Sequence, residues 1–391
     1  MKQDKITYEA LFAYTAKILQ KIGYSPEQAG VTARILVEAD ARGVASHGVA
    51  RLSFYQTNIR DGFAFPKAKT EIIHETPSSV VVDGHHGIGP CIAQFTMTRV
   101  IEKAKNAGVG FGSVRNSNHF GMAGLWAEMA AAEGFIGMAF CNTRICSIPT
   151  FGRERILGTN PICVAIPSAG KTNFVLDMAT TTVSHGKVEV YERRGKPMPL
   201  GWVVDERGAG TTDTQHFQTL YRSDKPDGGH LFLGGAGEEI GGHKGFGLGL
   251  LVDLLCAGLS MGAWSRETFG AQGAGISQFF GAIRLDLFGD PAGIMRHVES
   301  ILQQVRDSAK AKGQSRIFIH GEKEAEKRIE SLKKGIRLDE ATWQMLDDFA
   351  VKFCLEKPGS EPVQNGRKEH ADKTDRAFNA RHSSGRRPLS L

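Results

Sequence analysis

The chain has 391 residues, 41% of them hydrophobic and 23% charged, with a formal net charge of +6. That length and balance suit two domains with substantial cores, and they exclude a disordered or collagen-like chain in spite of 47 glycines. The positive charge does not point to nucleic acid, because half of it sits in the tail from Glu356 to Leu391, where eight Lys/Arg face five Asp/Glu.

The N-terminus leads into an amphipathic pattern without a signal-peptide core, and residues 7–60 read as helical. Ser25-Pro26-Glu27-Gln28 forms an N-cap, a proline at the first helical position and a capping-box Gln. Val31, Ile35, Leu36 and Ala39 continue that helix until Gly43, and Val49, Leu52, Phe54 and Tyr55 begin another. From Thr70 the texture turns to strands at 71–74 and 79–83, a helix at 91–107, a strand at 109–114, a helix at 125–132 and a strand at 135–141. Strands at 162–166 and 174–176 are joined by Ser168-Ala169-Gly170-Lys171-Thr172, and a Gly-rich segment runs from Gly208 to Gly242. The apolar stretch Gly245–Trp264 carries Asp253 and many small residues, so it reads as a buried helix and not as a membrane span. A strand at 275–287 and helices at 293–310, 322–334 and 339–354 follow. The expected organisation is a helical domain built from both termini (1–70 and 290–355) around an α/β domain (71–289), with a disordered basic tail at 356–391. Six scattered cysteines, none in a CxxC or Cys/His metal spacing, read as reduced residues of an intracellular, cytoplasmic protein with no metal site.

Four segments carry candidate chemistry. Ser46-His47-Gly48 lies in a tight interhelical turn beside Arg51, which suits proton transfer next to an anion. Asn116-Ser117-Asn118-His119 ends a strand and precedes a helix, where α/β proteins place ligand contacts. Leu176-Asp177-Met178-Ala179-Thr180-Thr181-Thr182 follows a strand and offers hydroxyls, N–H donors and a carboxylate for a phosphate or ribose. Gly241-Gly242-His243-Lys244-Gly245 puts a lysine into a glycine-rich helix start, fit for a pyrophosphate or carboxylate. Each has a plainer reading as a cap or a turn. Gly170-Lys171-Thr172 looks like a phosphate-binding loop and would support a nucleotide hydrolase, yet a strand follows it, so a hairpin turn is expected. There is no GxGxxG after a strand, and a Rossmann site is not supported. The basic tail leaves a nucleic-acid-binding protein as the other rival.

Taken in order, ASHGVARL (45–52), NSNHFGMAG (116–124), LGTNPICVAIP (157–167), LDMATTTVSHGKV (176–188), GWVVDERG (201–208) and GGHKGFGLGL (241–250) resemble the non-Rossmann malate/L-lactate dehydrogenase family. The likeness is collinear over roughly 7–355, and the Gly234–Gly247 stretch looks nearest to its malate and sulfolactate branch. The resemblance implies an α/β fold with a mixed, largely antiparallel cofactor-domain sheet plus a helical domain from both termini. It implies direct hydride transfer between NAD or NADP and a 2-hydroxy/2-oxo acid pair, a homodimer with its active site at the subunit boundary, and neither a nucleic-acid nor a membrane partner. A cyclic imino acid or a ureidoglycolate-type substrate is the alternative within the family. Carried over by motif, His47 and His119 are the acid/base candidates, and Ser46, Arg51 and Tyr55 fall at substrate positions. Asn118, Thr143, Asp177, Met178, Ala179, Lys244, Gly245, Gly321 and Glu322 fall at cofactor positions. Two departures stand out: Arg144-Ile145-Cys146-Ser147 replaces a proline- and alanine-rich run, and Ser184-His185 replaces a small or basic pair.

Overall fold

The computed structural model describes residues 5–356, so the tail expected from 357 onward lies outside the described residues. In chain order the elements begin with β1 (Lys5–Ile6), α1 (Tyr8–Lys21), α2 (Pro26–Ala41) and, after two 3-10 turns at Ala45–His47 and Val49–Arg51, α3 (Leu52–Arg60). There follow β2 (Glu71–Glu75), β3 (Ser79–Asp83), α4 (Gly89–Ala107), β4 (Val109–Ser117), α5 (Ala123–Ala132), β5 (Phe135–Cys141), β6 (Ile162–Ile166) and β7 (Phe174–Met178). Next come α6 (His185–Arg193), β8 (Val203–Val204), α7 (Thr214–Arg222), β9 (Gly229–His230) and α8 (Gly242–Asp253). The described chain closes with β10 (Ile276–Arg284), α9 (Pro291–Asp307), α10 (Glu322–Lys334), β11 (Ile336–Arg337) and α11 (Glu340–Phe353). The capping box at Ser25 forms as its sequence requires: the Ser25 hydroxyl accepts from the Gln28 N–H, and the Gln28 side-chain Oε1 accepts from the Ser25 N–H.

The main sheet has seven strands in the order β2-β3-β4-β10-β5-β6-β7, antiparallel except where β3 and β4 run parallel across the α4 crossover. This is the mixed, largely antiparallel sheet that the motifs imply. Alternate residues serve opposite faces. Ala139, Cys141, Phe280 and Ala282 pack on α4 and α5 with Trp126 and Met97, while Phe140, Phe279 and Ile162 meet Val252 and Cys256 on the other side. A separate core joins the two chain ends: Leu11, Ile18, Leu36 and Leu52 from the N-terminal helices pack with Ile336, Leu346 and Phe349. α9 is tied instead to the β6–β7 connection, where the Ala169 N–H donates to the Met295 carbonyl and the Ser168 hydroxyl to Glu299.

Three sequence expectations shift. The Gly245–Trp264 stretch is buried on one side only: α8 stops at Asp253, a π-helical turn covers Leu254–Gly258, and Leu254 is 58% and Met261 83% exposed. Gly245 and Gly249 face inward, because a Cβ on Gly245 would lie 2.2 Å from the Leu233 carbonyl oxygen and one on Gly249 2.3 Å from the Phe232 ring. The Gly-rich segment 208–242 contains α7, whose Asp213 cap and Phe217, Leu220 and Tyr221 spacing the glycines had masked. Cys354 is exposed and Cys91 partly so, whereas the other four cysteines are buried as expected. The Gly170-Lys171-Thr172 turn does join the antiparallel pair β6 and β7, with no helix opening behind it.

Candidate active site

Strand register gathers the sequence motifs along one edge of the sheet. Ile276 lies opposite Ser117, Gln278 opposite Cys141, Phe140 opposite Ile162, and Ile162 opposite Met178. The C-terminal ends of β4, β5 and β7 therefore meet the starts of β10 and β6. A cleft of about 480 Å³ runs along this edge and is closed on its other side by the His47 turn and by residues 318–324.

The His47 turn is built from below by α2. The Asp40 carboxylate, on the last turn of that helix, accepts the Val49 N–H at 2.7 Å and so fixes the second 3-10 turn. Glycine at 48 follows from this contact, since a Cβ there would fall 1.9 Å from Asp40 Oδ1. Burial pushes the Asp40 carboxyl up to about 7, with Asp339 adding repulsion. The Ser46 hydroxyl lies 2.9 Å from His47 Nδ1, and Arg51 Nε donates to the Ser46 carbonyl at 2.6 Å. Among the described residues no carboxylate pairs with Arg51, so the turn presents a held but uncompensated cation. Burial, and then the Arg51 charge, pull His47 down to about 4.

His119 stands across from it at the end of β4. The two imidazoles stack with ring centroids 5.5 Å apart and planes 20° from parallel, and Phe54 meets His119 edge-on. The Tyr55 hydroxyl is 2.8 Å from His119 Nδ1. Burial, His47 and Arg51 hold His119 well below the usual histidine range, so both rings are neutral near pH 7.

Beyond the histidines the cleft changes character. Asp177 Oδ2 accepts the Gly124 N–H at 2.7 Å on the first turn of α5, and burial raises that carboxyl to about 6. Thr143 is set by a buried polar network. Its N–H donates to Asn160 Oδ1 at 3.2 Å, and Asn142, Asn160 and Ser265 all donate to the buried Asp253 carboxylate. Arg42 joins the helical core to α5 through Glu38 at 2.9 Å and Glu128 at 2.6 Å. The turn at 318–321 is seated by the Val175 N–H on the His320 carbonyl, and Gly321 takes φ +94°. The lining that results has Thr143, Thr159 and Ser184 hydroxyls and the Lys323 ammonium beside apolar Met122 and Ile276. Donors for phosphate and ribose beside an apolar wall fit a dinucleotide.

Ser46, His47, His119, Thr143, Asp177, Met178, Ala179 and Gly321 thus come together in one cleft. Tyr55 sits behind His119 and outside the lining, and Arg51, tied to the Ser46 carbonyl, borders the cleft beside His47 without being one of its lining residues. The Asn118 side-chain NH2 group is spent on structure, donating to the carbonyls of Phe63, His86 and Gly87, while its Oδ1 is buried without a partner among the described residues. Glu322 is equally committed, accepting from Arg306, Arg316 and the Ile319 N–H. Lys244 and Gly245 lie in the first turn of α8 and do not line the cleft of their own chain. Arg42, Thr159 and Lys323 had escaped sequence reasoning; only Thr159 carried a signal, standing in the turn that enters β6.

The malate/L-lactate dehydrogenase family model matches residues 6–347. Malate dehydrogenase from Pyrococcus horikoshii is 39% identical over 355 residues, 90% of this chain and 96% of that protein. L-sulfolactate dehydrogenase from Methanocaldococcus jannaschii is 34% identical over 86% of this chain and 94% of its own. The crystal structure of malate dehydrogenase from Entamoeba histolytica superposes with a TM-score of 0.86 at 32% identity, covering 91% of this chain and 99% of that one. With its strand order, its paired histidines and these matches across nearly its whole length, the chain belongs to the malate/L-lactate dehydrogenase family.

Proposed function

We propose that this chain interconverts a 2-hydroxy acid and its 2-oxo acid by direct hydride transfer with NAD or NADP. The observation that carries the reading is the stacked His47–His119 pair lining one end of a nucleotide-sized cleft, with the unpaired Arg51 bordering it on the Ser46 side. Arg51 holds the substrate carboxylate with its two terminal nitrogens, the Nε being already fixed on Ser46. When bound, the nicotinamide supplies or accepts the hydride at the substrate C2. As a ketone becomes an alkoxide, the two imidazoles flank the oxygen, one polarising it by hydrogen bonding and one delivering the proton. At the other end Thr143, Asp177, Ala179 and the Gly321 turn would hold the cofactor.

A four-carbon dicarboxylate or its sulfonate analogue is the favoured substrate class, on the likeness to malate and sulfolactate dehydrogenases. A homodimer is part of the reading. Leu248, Leu251, Leu254 and Leu259 leave one side of α8 and its continuation apolar and exposed, and a second copy would cover them. Lys244, on the first turn of α8, would meet a cofactor only across such an interface. The free cysteines favour the cytoplasm as its compartment, and among the described residues no helix is long and apolar enough to cross a membrane. The test is an NADH and NADPH oxidation screen over 2-oxo acids and cyclic imino acids. The reading expects turnover of oxaloacetate-like or sulfopyruvate-like acids; turnover of imino acids alone, or of nothing, overturns it.

A further inference from the structure

We propose that Tyr55 is a positioning residue that locks His119 as its Nε2–H tautomer, so that His119 offers a neutral N–H donor to the substrate oxygen and His47 delivers the proton. The proposal rests on the dehydrogenase reading of this cleft and divides the labour between its two histidines.

The geometry fixes the direction of each hydrogen bond. His119 Nδ1 lies 3.4 Å from the Gly121 N–H and 2.8 Å from the Tyr55 hydroxyl. An amide N–H can only donate, so Nδ1 is the bare nitrogen and Nε2 carries the hydrogen. The Tyr55 hydroxyl then also donates to Nδ1. Burial holds the phenol well above its ordinary pKa, and it remains a donor at any working pH. Tyr55 is 4% exposed and stands behind the imidazole, away from the cleft lining, so it has no route to a substrate. A cavity of about 10 Å³, lined by Tyr55 and His119 together with Tyr24, Asn58 and Asn118, has room for about one water. Stacking on His47 and the edge of Phe54 keep the ring from rotating to present another face.

A neutral imidazole in this tautomer polarises a carbonyl well. It cannot give up its proton without becoming an imidazolate, which chemistry near neutral pH does not reach. The proton that balances the reduction therefore comes from the His47 imidazolium: C2 gains the hydride, its oxygen gains the His47 proton, and His47 is left neutral. The charged and titratable groups facing the pair are Arg51 from the second 3-10 turn and Tyr55 from α3. Burial is the larger cause that keeps His47 neutral; a substrate carboxylate on Arg51 offsets the charge that adds to it, so substrate binding favours protonation of His47.

The test is ¹⁵N NMR of the histidine side chains in the full chain with NAD bound. A pyridine-type Nδ1 and a pyrrole-type Nε2 on His119 are expected, and the opposite pattern overturns the proposal. This readout does not depend on turnover, so it is separable from a failure of the dehydrogenase reading. In kinetics, Tyr55→Phe keeps the buried ring and should lower kcat by about 10–100-fold, the usual cost of removing an orienting partner, with KM for the oxo acid nearly unchanged. A raised KM with unchanged kcat would make Tyr55 a substrate ligand and overturn the assignment.

Discussion

His47 and His119 come from segments 72 residues apart in the sequence, yet their rings stack at a centroid distance of 5.5 Å. One is carried by a 3-10 turn between α2 and α3, the other by the connection that follows β4 and leads into α5. Burial lowers the basicity of both rings, Arg51 lowers both further, and His47 adds to the effect on His119. Two neutral imidazoles next to a free guanidinium form a site that waits for an anion before it takes up a proton.

Removing the proton donor should cost more than removing the polarising donor. His47→Ala is expected to lower kcat/KM by roughly 10²–10⁴ while NADH binding, followed by fluorescence, stays intact. His119→Gln keeps an N–H donor and should retain more activity than His47→Gln. The reverse order would exchange their roles.

Arg51→Lys should act on substrate binding. Lysine keeps the charge but loses the planar fork that meets a carboxylate with two hydrogen bonds. KM for the 2-oxo acid should rise about tenfold or more, a loss on the scale of one charge-assisted hydrogen bond, with kcat less affected. An unchanged KM would remove Arg51 from the substrate site.

The pH profile follows from the direction of the histidine shifts. Oxidation of the hydroxy acid needs a neutral base, and a histidine held near 4 remains neutral through the physiological range. With saturating cofactor, kcat/KM for oxidation should be flat between about pH 6 and 8 and fall only below about pH 5. A half-maximum near pH 7 would mean that the acting base is not this buried pair.

Asp40 gives a stability prediction with the opposite sign from the usual carboxylate. Its pKa is about 7 in the folded chain and near 3.8 when unfolded, so between those values only the folded chain keeps the proton. Stability is therefore lost as pH rises through this window. Asp40→Asn retains an acceptor for the Val49 N–H and titrates nothing. Its melting temperature relative to the parent should climb from pH 5 to pH 8, and a difference independent of pH would contradict the buried carboxyl.

Much of this could be read from residues alone, for reasons particular to each segment. The Ser25–Gln28 cap and the apolar runs of β3, β5 and β6 declare themselves through local chemistry, and the structure has them. His47, His119 and Asp177 were legible as candidates because each stands where an element ends, whereas Thr143 came only from the family resemblance. What local sequence could not show was anything set by a distant partner. Asn118 sits in a polar turn, but its amide is consumed by three carbonyls from residues 63–87. Glu322 looks like a loop ligand until Arg306 and Arg316 are found on it. The outer face of α8 was assigned to the core because an apolar composition does not tell which side of a helix faces out of the chain.

The central claim is that hydride passes directly between the nicotinamide and C2 of a 2-oxo acid in the His47–His119 cleft. It is tested most directly by reducing an oxaloacetate-like acid with NADH or NADPH carrying deuterium at the transferred C4 position and locating the label by mass spectrometry and proton NMR. One deuterium at C2 of the hydroxy acid, formed at a rate cut sharply by His47→Ala, is the predicted result. Deuterium lost to solvent, or label at C2 formed as fast by that variant as by the parent, would contradict it.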